Sequence, residues 1–107
     1  MQHHSRAHNL IGLAARGRRL VVGALAVEKA VKGGRAKLVI VDCESATNTQ
    51  KQYTDLCRYY KVPMALLQAP CQAAGKPGRM CLAILDQGLA EQIEKALYGD
   101  PTTGGKG

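Results

Sequence analysis

The sequence has no tryptophan, no phenylalanine and only four tyrosines. Any core it forms must be filled by aliphatic side chains and alanine. Histidine is nearly as scarce: His3, His4 and His8 all fall at the very start. Cysteine nucleophile chemistry needs a nearby base, and these three offer little prospect of one. Cys43, Cys57, Cys71 and Cys81 include no CxxC pair, so the spacing of a zinc site is missing. They read as small buried hydrophobes in a reducing cytosol. No apolar run approaches the ~18 residues of a membrane span. The opening residues, MQHHSRAH, lack the apolar segment of a secretory leader. The expectation is a cytoplasmic protein without a membrane partner.

Acidic residues are the other shortage, and they are unevenly placed. The chain carries 15 Lys and Arg against 8 Asp and Glu, a net charge of +7. The whole surplus lies in residues 1–41, where Arg6, Arg16, Arg18, Arg19, Lys29, Lys32, Arg35 and Lys37 face a single acid, Glu28. Residues 42–107 are balanced. A surplus concentrated in this way favours a polyanionic partner over general solubility. The 107 residues suit one domain and suffice for a core without a metal or disulfide.

The stretch from Arg18 to Asp42 organises the rest. Leu20-Val21-Val22 is a short apolar run suited to a buried strand. Gly23 permits a tight turn and a close backbone approach. From Ala24 to Lys32 the spacing is helical, with Ala24, Val27, Ala30 and Val31 on one face and Leu25, Lys29 and Lys32 on the other. Gly33-Gly34 stops the helix, and Leu38 to Val41 is a second strand. The helix of this βαβ unit starts at a glycine positioned to face a phosphate. The outward basic stripe reads either as a solvated face or as a phosphate-binding surface.

The remaining elements follow in order. Residues 1–8 and 99–107 read as flexible tails around a domain at 9–98. Asn9 to Ala15 is a short first helix, and a third begins with Ser45 or Thr47 as cap and ends before Pro63. Met64 to Leu67 is a strand, residues 68–79 a Gly/Pro loop with at most one helical turn at Cys71–Ala74, and Met80 to Leu85 another strand. Asp86 caps a last helix that Gly99-Asp100-Pro101 ends. The alternation predicts an α/β domain, a central, mixed, mostly four-stranded sheet covered by helices on both faces in three α/β/α layers. Gly75-Lys76-Pro77-Gly78 lacks the spacing and following helix of a P-loop. Asp42 and Glu44, at a strand end, read as turn-formers, and no catalytic set emerges.

Asn9-Leu10-Ile11-Gly12-Leu13-Ala14, Leu20-Val21-Val22-Gly23, Lys29-Ala30-Val31, Ala36 to Val41, Asn48-Thr49, Cys57, Val62-Pro63 and Gly75-Lys76 together resemble the L7Ae/L30e ribosomal protein family, most closely its small bacterial YlxQ-type branch. The resemblance runs through about residues 9–97 in unbroken order. It implies an α/β/α sandwich that grips kink-turn RNA with the N-terminus of the second helix, here Gly23–Lys29, and a later loop, here Ala69–Gly78. RNA of that kind is read chiefly through shape and phosphates. Two departures stand out. Kink-turn binders place Asn-Glu or Lys-Gln where this chain has Leu25-Ala26, which cannot hydrogen-bond a base. The later loop has Pro70-Cys71 in place of the usual Leu-Gly.

The sequence thus predicts a non-enzymatic, monomeric protein that binds ribosomal or other structured RNA, without cofactor, metal or small-molecule substrate, and with kink-turn specificity weakened. The expected RNA-binding residues are Arg18, Arg19, Gly23, Ala24, Leu25, Ala26, Lys29, Lys32, Arg35, Lys37, Gly75 and Lys76. The alternative is a protein-interaction module or ribosome-associated factor on the same scaffold, with Leu25 as a contact; a small α/β enzyme ranks below both.

Overall fold

The structure, a computed structural model, describes residues 5–98. Its elements are α1 (Ser5–Arg16), β1 (Leu20–Val22), α2 (Ala24–Lys32), β2 (Leu38–Asp42), α3 (Thr47–Tyr60), β3 (Met64–Leu67), α4 (Pro70–Ala73), β4 (Cys81–Ile84) and α5 (Gln87–Tyr98). One four-stranded sheet has the order β1-β4-β2-β3. β4 runs antiparallel to both β1 and β2, while β2 and β3 are parallel. The sheet is therefore mixed, as expected, with β1 and β3 at its edges.

Strand alternation divides the core in two. Leu38 and Ile40 of β2 point to one face, where they join Leu82, Ile84, Leu67 and the apolar sides of α1, α4 and α5. Val39 and Val41 point to the other, with Cys81, Ala83 and the inner sides of α2 and α3. The three layers result. Alanine does fill much of the interior: Ala7, Ala14, Ala30 and Ala83 are fully buried, and Tyr53 is the one aromatic in the core of the described residues.

Three expectations need correction. α1 begins at Ser5, not Asn9. Ala7 belongs to its buried face, and the His8 Nε2 donates to the Gln68 carbonyl at 2.7 Å, which ties this helix to the end of β3. The four residues 5–8 read as tail because their only apolar member is a small one. Neither Ser45 nor Thr47 caps α3: the cap position is Ala46, without a side-chain bond. The Ser45 hydroxyl instead donates to the Asp42 carbonyl, and the Gln50 amide reaches back to the carbonyls of Cys43 and Ser45. The single turn of α4 begins at Pro70, one residue ahead of the expected Cys71. Asp86 does cap α5, its Oδ1 accepting from the Gly88 amide at 2.9 Å. Residues 1–4 and 99–107, with His3, His4 and the Gly99-Asp100-Pro101 helix stop, lie outside the described residues.

Burial in the middle strand should dominate stability. Ile40 is completely buried at the centre of the sheet, whereas Leu66 on edge strand β3 is 43% exposed. Ile40→Ala should cost about 2–5 kcal/mol in urea unfolding, and Leu66→Ala under about 1 kcal/mol. Equal costs would contradict this core assignment.

Candidate nucleic-acid interface

The site is built around the β1–α2 turn. Gly23 adopts φ 101° and ψ 155°, a backbone conformation that an L side chain rarely enters. Its amide donates to the Cys81 carbonyl at 2.9 Å, and its carbonyl accepts from the Val27 amide at 2.9 Å. The turn is thus pinned to β4 on one side and begins α2 on the other. A Cβ on Gly23 would also lie 3.1 Å from Nη1 of Arg79, so the end of that side chain would have to shift by a few tenths of an ångström. Gly23 supplies no capping side chain, so the first-turn amides of α2 have no side-chain acceptor.

An open groove of about 500 Å³ runs along the free edge of β1. Leu20, Val21, Val22, Ala15, Ala26 and Ala74 form its apolar floor, and Arg18, Lys76 and Arg79 its charged rim. A shallower hollow adjoins it at the helix start, lined by Val22 to Ala26, Lys29 and Arg79. Among the described residues no carboxylate lines either depression. Arg79 borders both, so it joins the groove to the N-terminus of α2.

The rim is held by local chain geometry. Arg18, not Gly17, takes the left-handed conformation that ends α1, with φ 57°. The Arg18 amide donates to the Ala15 carbonyl and the Arg19 amide to the Ala14 carbonyl, which closes the helix in this conformation. A non-glycine residue held there stores backbone strain. Lys76 is fixed from the other side by its amide bond to the Cys71 carbonyl at 2.8 Å, just after Gly75 turns the chain with φ 78°.

The expected site residues do not form one surface. Arg18, Gly23, Ala24, Leu25, Ala26, Lys29 and Lys76 come together around the groove and helix start, with Gly75 beside Lys76. Leu25 is 70% exposed in their midst. Arg19 turns away and forms an ion pair with Asp86, whose carboxyl the guanidinium holds below the usual carboxylate range. Lys32 and Lys37 line a different hollow at the far end of α2, with Tyr60 and Lys61. Lys32 is also bonded to Glu28 at 2.8 Å, one turn back on its own helix, and this bond raises its pKa. Arg35 is exposed and lines neither depression. Sequence reasoning ends the loop's contribution at Gly78 and so omits Arg79. The available signal is its place between the last loop glycine and the final strand, opposite the β1–α2 turn once β1 and β4 pair.

Catalytic chemistry finds little support. Burial pushes the Cys57 and Cys71 thiols up to about 11 and raises that of Cys81, which disfavours the nucleophilic thiolate. Among the described residues no group of three His, Cys, Asp or Glu is arranged to hold a metal, and no helix is long and apolar enough to cross a membrane.

Known proteins share this arrangement of elements. The chain is 39% identical over 87 residues to the RNA-binding protein YlxQ of Bacillus subtilis (strain 168), covering 78% of this chain and 87% of that protein. It is 34% identical over 97 residues to the RNA-binding protein YlxQ of Enterococcus faecium, covering 88% and 93%. Among solved structures, a protein with unknown function from Bacillus halodurans C superposes with a TM-score of 0.81 at 30% identity, over 86% of this chain and 96% of that one. The Giardia lamblia 15.5kD RNA binding protein shares the fold, with a TM-score of 0.73 at 19% identity over 94% and 92%. The sequence pattern of one family matches residues 5–94, and on that evidence the chain belongs to the ribosomal protein L7Ae/L30e/S12e/Gadd45 family.

Proposed function

We propose that the protein is a non-enzymatic, monomeric binder of structured RNA that takes phosphates into the groove beside β1. One observation carries this reading: three cationic side chains, Arg18, Lys76 and Arg79, line a groove that adjoins the open start of α2, and among the described residues no acid lines it. Backbone amides at a helix start and nearby guanidinium groups suit phosphate oxygens. Two relatives that match most of the chain are named RNA-binding proteins, which supports RNA as the polyanion. The RNA is a ribosomal or other structured RNA, and kink-turn specificity is weakened. It is held more by phosphates than by bases, because Leu25 and Ala26 offer no hydrogen bond to a base edge. Lys29, one turn further along, contributes charge to the same end of the helix.

The site assignment is tested by titrating structured RNA against point variants at several salt concentrations. Arg18→Ala, Lys29→Ala, Lys76→Ala and Arg79→Ala should each weaken binding across sequences and flatten the log–log salt dependence by about 0.7–0.9. Arg19→Ala should do less, since Asp86 already holds that guanidinium. Lys95→Ala, on the last helix, should do little. Equal losses at all of these positions would indicate diffuse attraction with no defined site. Absence of RNA binding at low salt would overturn the reading.

Specificity is tested by restoring the missing polar groups. Each base-edge contact is worth about 1–3 kcal/mol. Leu25→Asn with Ala26→Glu should therefore tighten binding to a kink-turn RNA by roughly ten- to several-hundred-fold. A control RNA in which Watson–Crick pairs replace the sheared G·A pairs should gain nothing. Unchanged or weaker kink-turn binding by a folded double variant would contradict the proposed loss of base reading.

A further inference from the structure

The far end of α2 carries a second concentration of charge that the groove leaves unused. Lys32, Lys37 and Lys61 line one open hollow of about 400 Å³, together with Tyr60 and Gln87. Tyr59 does not line the hollow itself, but its ring centroid lies 4.9 Å from that of Tyr60, which does, in an edge-to-face arrangement. The chain has only four aromatic residues, and two of them are here. Tyr59 is 78% exposed and Tyr60 38%. An exposed aromatic pair is not needed for a core, and with Tyr59 this exposed the pair still leaves ring surface open to a ligand. Nine residues of α2 separate this hollow from the Gly23 turn, about 13 Å along the axis, so one phosphate cannot serve both.

We propose that this hollow is a second RNA-contact surface that takes a short single-stranded segment, with a base stacked on Tyr59 and its flanking phosphates on Lys37 and Lys61. Unpaired bases stack on exposed aromatic rings without regard to sequence, and lysines follow the backbone between them. The charge balance fits. Of the acids nearby, Glu28 is bonded to Lys32, Asp86 to Arg19, and Glu91 accepts from the Gln87 amide group. Lys37 and Lys61 take part in neither pair, and α2 and α3 both end here, so these lysines also offset the carbonyl ends of two helices. An acidic peptide would match the lysines but has no use for the open tyrosine face. The choice of RNA as ligand rests on the RNA-binding reading above.

Two substitutions are suited to the test because neither should harm the fold. Tyr59 is largely solvent-exposed, and Lys61 sits at φ 59° after α3, where glycine relieves strain. A labelled oligouridylate of about eight nucleotides, within the usual site size for single strands, is titrated by fluorescence anisotropy. Tyr59→Leu and Lys61→Gly should each weaken its binding by about five-fold or more, Tyr59→Phe should retain it, and Lys95→Ala, on the last helix, should leave it unchanged. Binding of the oligonucleotide should also quench tyrosine fluorescence of the wild type and not of Tyr59→Leu. Equal affinity in wild type, Tyr59→Leu and Lys61→Gly would overturn the proposal. So would polyglutamate binding that both variants lose while oligouridylate binding persists, a result that would assign the surface to an acidic protein. The groove reading is judged separately, by structured RNA and the Arg79→Ala variant, so either can fail without the other.

Discussion

The β1–α2 turn at Gly23 is the constraint on which the candidate interface depends. Its backbone is held in an unusual conformation by bonds at both ends, to the Cys81 carbonyl and the Val27 amide. This places the start of α2 beside the edge of the sheet, with the Arg79 guanidinium close to Gly23. A residue with a Cβ at position 23 would face both backbone strain and contact with Arg79. The turn therefore does more than connect two elements. It brings a cation from the last loop next to a helix start, and those two features come from chain segments more than fifty residues apart.

Charge location decides function more than charge total. The net +7 belongs to the N-terminal 41 residues in sequence, but the fold redistributes its use. Arg19 and Lys32 are engaged with Asp86 and Glu28. Exposed pairs of this kind contribute little to stability, yet they reduce the charge offered to a ligand. Lys76 and Arg79, from the electrically balanced part of the sequence, complete the groove in their place. The scarcity of aromatics also acquires a meaning: one tyrosine is spent on the core, while two stand exposed at a basic end of the molecule.

Much of the fold was legible because period and glycine placement agree along the chain. The four strands, the second helix and the Asp86 cap all follow from local pattern. Most of the errors depend on a contact distant in sequence, and the one at Ser45 on a competing local bond three residues back. Nothing near His8 indicates that it bonds to Gln68, so α1 reads as starting late. Ser45 looks like a cap until the Asp42 carbonyl takes its hydroxyl. Arg79 is invisible as a site residue until β1 and β4 pair, and the engagement of Arg19 is invisible until α5 docks. The helix start at Gly23, by contrast, is encoded by a strand, a glycine and a helical repeat in immediate succession.

The most direct test of this account is to map the RNA contact on the folded protein. Amide proton–nitrogen correlation spectra, recorded as structured RNA is added, report each backbone site at once. The account predicts the largest shifts at Gly23 to Ala26, at Arg18 and at Lys76, Gly78 and Arg79, with the guanidinium resonance of Arg79 moving as well. Shifts that spare Gly23 and Arg79 and gather on α5 or on the outer face of α1 would contradict it.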